Sequence, residues 1–248
     1  AQAASVSLAE KLEIMRHTYP TVIAEIRNDA IVLTSGERLP VDDGEEKDHQ
    51  AKLKHADIED ALSQIYPLGT CDRGTPVKNF DPGRIRNETL MRILYGRTVS
   101  EVKSNLTPVK WFSTRVKVTR RHGVDTALNR VKMDLQKLPR RFWKFFKKSG
   151  GTFNWRSIAG TKRLSVHSFG AAIDIITQFT DYARWSGGKP GNVPKYKNKI
   201  PNEIVSIFER HGFIWGGKWY HFDTMHFEYR PELIEIGKLA ESRGCAYQ

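Results

Sequence analysis

Long apolar runs are missing from this chain. None approaches the ~20 residues a helix needs to span a bilayer, so no transmembrane segment is expected. Cysteine is nearly absent: Cys71 and Cys245 stand far apart and form no C-x-x-C, which excludes a two-cysteine zinc knuckle. In an oxidising compartment the two are able to pair, tying an early loop to the C-terminal tail. No G-x-S-x-G occurs, so the nucleophile elbow of serine hydrolases is discounted. Repeats and low-complexity tracts are also lacking. Acidic residues are in deficit, with 28 Asp and Glu against 40 Lys and Arg, a net charge of +12. That balance favours a polyanionic neighbour, whether nucleic acid, anionic lipid or anionic cell wall, and does not choose among them.

What is present reads as α+β. Ser7 and Glu10 make a capping box ahead of Leu8, Leu12 and Met15 at helical spacing. A β-rich patch covers Ile31 to Val41, turning at Ser35-Gly36, and the polar run Asp42 to Lys54 reads as an exposed loop. Ile58, Leu62 and Ile65 mark a short helix ending before Pro67. From Leu68 to Gly83 the chain is rich in Gly, Pro and Asp, a boundary signal. Two domains are therefore expected: an N-terminal extension over 1–83 and a second domain over 84–248. In the latter, a helix is expected around Leu90 to Leu94, a strand over Trp111 to Val118, and a helix capped by Asp125 and carrying Leu128, Val131, Leu135 and Leu138. The segment Arg140 to Lys148, R-R-F-W-K-F-F-K-K, reads as a helix with buried aromatics and solvated cations, the rival being a surface that grips a polyanion. Strands follow at Thr152 to Arg156, Phe213 to Trp215 and Met225 to Tyr229, with helices at Asn202 to His211 and from Pro231 to Leu239.

Chemistry concentrates in two stretches, S-V-H-S-F-G-A-A-I-D-I-I at 165–176 and F-D-T-M-H-F-E-Y at 222–229. They offer His167, Asp174, Asp223 and His226. Two imidazoles and a carboxylate close three corners of a zinc tetrahedron and leave the fourth for water. Gly170 lets a loop histidine fold back towards Asp174, which sits in an apolar strand where a carboxylate needs a cation beside it. Asp223, three residues before His226, is placed to serve as the base of a hydrolase. Glu228 is the rival base, better suited to orienting a ligand histidine. Trp215 and Trp219, beside Gly216-Gly217, either wall a substrate cleft or fill the core.

These two stretches, S-V-H-S-F-G-A-A-I-D and W-G-G-K-W-Y-H-F-D-T-M-H-F-E-Y, resemble the zinc D-Ala-D-Ala carboxypeptidase family, which also holds the L-alanyl-D-glutamate endopeptidases. The likeness covers roughly residues 152–233. It implies a small antiparallel sheet carrying a single zinc site, flanked by helices, with His167, Asp174 and His226 as ligands and Asp223 as catalytic acid/base. It also implies an arginine that steadies the substrate carbonyl; Arg156 stands where that arginine belongs, with Arg163 as the fallback. Arg163, Ser165, Trp215 and Trp219 are further candidates for substrate contact. Many carboxypeptidase members carry Glu at the base position, whereas Asp resembles the endopeptidase and mixed-specificity branch.

The function expected is a zinc metallopeptidase cutting the stem peptide of bacterial peptidoglycan, as carboxypeptidase or endopeptidase. The alternative is a non-catalytic zinc-bearing binding module of the same fold. A nucleic-acid-binding protein explains the charge but not the ligand spacing, so no nucleic acid partner is expected. The A-Q-A-A-S opening looks like the small-residue side of a signal-peptidase cut, and a periplasmic or secreted location is expected.

Overall fold

The computed structural model describes residues 5–158 and 161–245. Ala1 to Ala4, on which the expectation of a processed start largely rests, lie outside the described residues. Contacts divide the chain into two units. The first holds residues 1–88, 218–220 and 230–248; the second holds 89–217 and 221–229.

The first unit opens with helix α1 (Leu8–Thr18), whose Ser7–Glu10 capping box is formed and whose Leu12 and Met15 are buried. Three strands follow as an antiparallel meander, β1 (Ile23–Arg27), β2 (Ala30–Leu33) and β3 (Arg38–Pro40). The Asp42–Lys54 run differs from the exposed loop expected of it. It contains helix α2 (His49–His55), capped by the Asp48 side chain. It also buries Lys47, whose side chain is 2 % exposed and meets Asp43, Asp60 and Asp57 at 2.5, 2.9 and 3.4 Å. Three carboxylates replace the water this ammonium gives up, which is why this one side chain turns inward from a largely solvent-facing run. Helix α3 (Ile58–Ala61) is a single turn, shorter than the apolar spacing out to Ile65 suggests.

In the second unit, α4 (Glu88–Tyr95) and α5 (Val99–Ser104) precede a hairpin of β4 (Leu106–Trp111) and β5 (Thr114–Thr119). The alternation over Trp111 to Val118 belongs to this hairpin and not to one strand. Phe112, at φ 49°, turns the chain, and a period of two looks alike on either side of a tight reversal. Helix α6 (Val124–Leu135) is preceded by Gly123 in the left-handed region. Asp125 sits in its first turn, where it favours the helix dipole instead of capping. Arg140–Phe145 forms a 3-10 helix, not an α-helix, with Phe142 and Phe145 buried. Strand β6 (Ser149–Gly151) ends before Thr152, where the strand was expected to begin.

The remaining elements are β7 (Ala172–Ile175), α7 (Asn202–Arg210), β8 (Phe213–Trp215) and β9 (His226–Tyr229). They complete an antiparallel sheet ordered β6-β7-β9-β8. Helix α7 buries Ile204, Val205, Ile207 and Phe208, and the Phe208 ring stacks on Phe227 at 3.8 Å. Gly217 is required by close approach, since a Cβ there would lie 2.2 Å from the Trp215 ring. The unit is thus α+β with its core between α7 and one face of the sheet.

The last helix, α8 (Pro231–Ser242), starts on its proline and belongs to the first unit, not to the 84–248 segment assigned to it from sequence. Tyr19 donates to Glu232 at 2.6 Å, Arg243 grips Glu10 through both terminal nitrogens, and Cys71 is bonded to Cys245. Both ends of the chain therefore build one core. Replacing both cysteines by serine is expected to cost ~2–5 kcal/mol, because the bridge closes a very long loop in the unfolded chain. Urea unfolding of the variant and wild type under oxidising conditions checks this; equal midpoints would contradict it.

Candidate metal centre

Strands β7 and β9 pair with Asp174 opposite His226 and Ala172 opposite Glu228. Opposed residues of an antiparallel pair share a face, so these four side chains lie together while Ile173 and Phe227 enter the core behind. His167 comes from outside the sheet, on a single helical turn (Val166–Phe169). Ser165 opens that turn, its hydroxyl accepting from the His167 N–H, and Gly170 closes it at φ 67°. Gly170 also accepts from the Thr119 N–H, and a Cβ there would stand 2.6 Å from the Leu106 side chain. Left-handed backbone and crowding both demand glycine at this bend.

The outcome is a triangle of three candidate ligand atoms. Nε2 of His167 lies 3.1 Å from Nδ1 of His226 and 3.1 Å from Oδ1 of Asp174, and the third side also measures 3.1 Å. The outer nitrogens are engaged: Nδ1 of His167 donates to the Thr152 carbonyl at 2.6 Å, and Nε2 of His226 to Glu228 Oε2 at 2.9 Å. Those acceptors assign the outward protons and turn one lone pair of each imidazole inward. Two such lone pairs and a carboxylate oxygen this close repel one another unless a cation sits among them. A tetrahedral zinc with bonds of ~2.0–2.1 Å spaces its ligands by about 3.3 Å, close to what these side chains already hold. The donor set fits the metal.

Titration tells the same story. Burial disfavours the His226 imidazolium, but hydrogen bonds to Asp174 and Glu228, with their charge, outweigh it and push its pKa up to about 10. Burial also raises Asp174, yet hydrogen bonds from His167 and His226 hold it well below the usual carboxylate range. The pocket draws positive charge, and a proton takes that place when no metal competes.

Asp223 is presented from the turn that leads into β9. Its N–H donates to the Gly216 carbonyl, and its own carbonyl accepts from the His226 N–H at 3.2 Å. Thr224 beside it exchanges hydrogen bonds with Asp181 at 2.7 and 3.0 Å, so the turn is clamped from both sides. The half-buried carboxylate is thus carried on the same short turn as a candidate ligand histidine.

Arg156 and Arg163 lie on two short runs that pair just ahead of His167. Ser165 N–H donates to the Arg156 carbonyl and Ile158 N–H to the Arg163 carbonyl, flanking a Ser157–Leu164 bridge. Arg156 is exposed; Arg163 is only 8 % exposed. Of the other candidates for substrate contact, Ser165 is buried as the cap of the His167 turn. Trp215 is buried too, donating to the Thr224 carbonyl and stacked near Phe227. Trp219 lies in the first unit, where it donates to the Pro82 carbonyl. All three are engaged in packing or in turn geometry. Sequence reasoning missed Thr152, whose carbonyl orients His167; a backbone acceptor has no residue-type signature to find it by.

Residues 159–229 match a family model described as D-alanyl-D-alanine carboxypeptidase. The match spans both motifs and supports the recognition drawn from them. No curated protein and no solved structure shows significant similarity to the chain.

Zinc added to the metal-free chain at pH 7 is expected to release at least one proton per site, that of the His226 imidazolium. Calorimetry in two buffers of unlike ionisation enthalpy reads this number; no release at pH 7 would contradict it. Because the folded pKa of His226 lies above its ordinary 6.5, its stabilising effect is complete below that pH and is lost as pH rises through about 10. Glu228→Gln is expected to weaken zinc binding ~10–100-fold, as losing an orienting carboxylate does.

Proposed function

We propose that the chain is a zinc-dependent peptidase hydrolysing peptide bonds in the stem peptide of bacterial peptidoglycan. One observation carries this reading. Three lone-pair atoms are held 3.1 Å apart, the outer N–H of each imidazole engaged, inside the stretch that matches a D-alanyl-D-alanine carboxypeptidase family. His167, Asp174 and His226 would hold the ion, which when bound supplies Lewis acidity and brings the pKa of water to about 7. Asp223 takes the proton from the attacking water and returns it to the leaving amine. Arg156, with its guanidinium in solvent, meets the scissile carbonyl and offsets the charge that develops there. Thr152 and Glu228 keep the two imidazoles from rotating.

Aspartate at the base position favours the endopeptidase or mixed-specificity branch over strict carboxypeptidases. The Cys71–Cys245 bridge favours an oxidising compartment, periplasmic or extracellular, where peptidoglycan is found.

Asp223→Asn is expected to retain zinc and to lose roughly 10²–10⁴ in turnover, the range for removing a general base. Arg156→Gln is expected to lose about 10² with zinc affinity unchanged. Mass spectrometry of products from defined muropeptides, with and without chelator, reads both. Full activity in the asparagine variant, or activity indifferent to chelator, would sink the mechanism.

A further inference from the structure

The net charge of +12 is not spread along the chain. Residues 106–156 hold 14 Lys and Arg against two Asp, which is +12 by itself, and the remaining 197 residues carry 26 of each sign. The whole of that stretch belongs to the second unit.

Within it, Lys110, Arg115 and Lys117 are exposed on the β4–β5 hairpin. Lys110 stands directly opposite Arg115, with Lys117 two residues further along the same face, opposite Pro108. Like charges in opposed positions work against the hairpin, so the fold does not explain them. A second group, Arg140, Arg141, Lys144, Lys147 and Lys148, is exposed on the segment that follows α6. Among the described residues none of these eight cations has a carboxylate within 4.0 Å.

The segments that carry the two groups pack on each other through the hairpin's Trp111 and Phe112, Trp111 taking the face opposite to Lys110. The Trp111 indole donates to the Phe146 carbonyl at 2.8 Å, and the Phe112 ring lies 5.4 Å from Trp143 and 5.3 Å from Phe146. The rings of the segment are used up in this. Phe142, Phe145 and Phe146 are buried, and the Arg140 guanidinium covers Trp143 at 4.4 Å. No free ring is left on the segment for a base to stack on, and no apolar side chain to enter a bilayer. What faces solvent is a row of point charges on a pinned backbone, suited to repeated phosphates without base recognition.

We propose that this surface binds a linear polyol-phosphate polymer of the cell envelope, keeping the second unit at the wall where its substrate lies. The choice of a wall polymer rests on the peptidase function proposed for the same unit. Recognition is electrostatic and sequence-blind, as counterion release from a charged chain provides.

Fluorescence anisotropy of labelled poly(glycerol phosphate) with the full chain tests this. Affinity is expected to fall steeply between about 50 and 200 mM salt, and Lys144→Gln/Lys147→Gln/Lys148→Gln to weaken it by roughly 10-fold or more. Lys147→Gln/Lys148→Gln alone, at two positions that touch no ring, is expected to weaken it measurably without affecting the fold. The control Arg38→Gln/Lys54→Gln/Lys78→Gln removes the same charge from the first unit and is expected to leave affinity within about two-fold. All variants are expected to cleave soluble stem peptides at the wild-type rate. Equal losses in test and control variants would overturn the site, as would tighter binding to single-stranded DNA or phosphatidylserine vesicles at equal phosphate. A chain that binds the polymer but cleaves no stem peptide would sink the peptidase reading and leave this surface standing. One that cleaves soluble stem peptides but ignores the polymer would do the reverse.

Discussion

The register between β7 and β9 is the constraint on which the site depends. Asp174 faces His226 because the two strands pair at those residues, and a slip of one position would send His226 into the hydrocarbon behind the sheet. The apolar partners on the far face fix that register: Ile173 lies opposite Phe227, and Phe227 is held between Phe208 and Trp215. Packing on one side of the sheet thus sets the chemistry on the other. Burying Asp174 and Glu228 beside two imidazoles is costly for any fold that has no cation to put there.

The two units solve the stability problem differently. The second draws on an aromatic core between α7 and the sheet. The first has short elements, and ties itself together with a disulfide, the Arg243–Glu10 pair and a lysine buried among aspartates. Its charges are of mixed sign, whereas the second unit leaves a run of exposed cations with no carboxylate beside them among the described residues. That contrast is what makes the basic surface informative, since a solvated charge run of mixed sign would carry no such meaning.

Much of the second unit was legible because its signals are local. Gly170 between His167 and Asp174, and Asp223 three residues before His226, state a bend and a spacing that any reading of the chain can see. The capping box at Ser7 and the proline opening α8 are signals of the same kind. The hairpin at Phe112 was not legible, because alternation survives a reversal of direction. Nor was the burial of Lys47, whose partners lie at positions 43, 57 and 60, and which no local rule would send inward. Which of its two readings Trp219 follows was not legible either, because the chain passes through the first unit at residues 218–220, where its indole donates to the Pro82 carbonyl.

The sequence by itself determined which atoms are available to hold a metal, where the chain bends between them, and an excess of positive charge that no acidic residue balances. It did so because residue type and short-range spacing follow directly from order along the chain. Tertiary structure decided the rest. It brought three candidate ligand atoms to within 3.1 Å, turned a lone pair of each imidazole inward through a backbone carbonyl and a glutamate, and packed both tryptophans. Those outcomes depend on strand register and on contacts between residues distant in sequence, which only the folded chain sets.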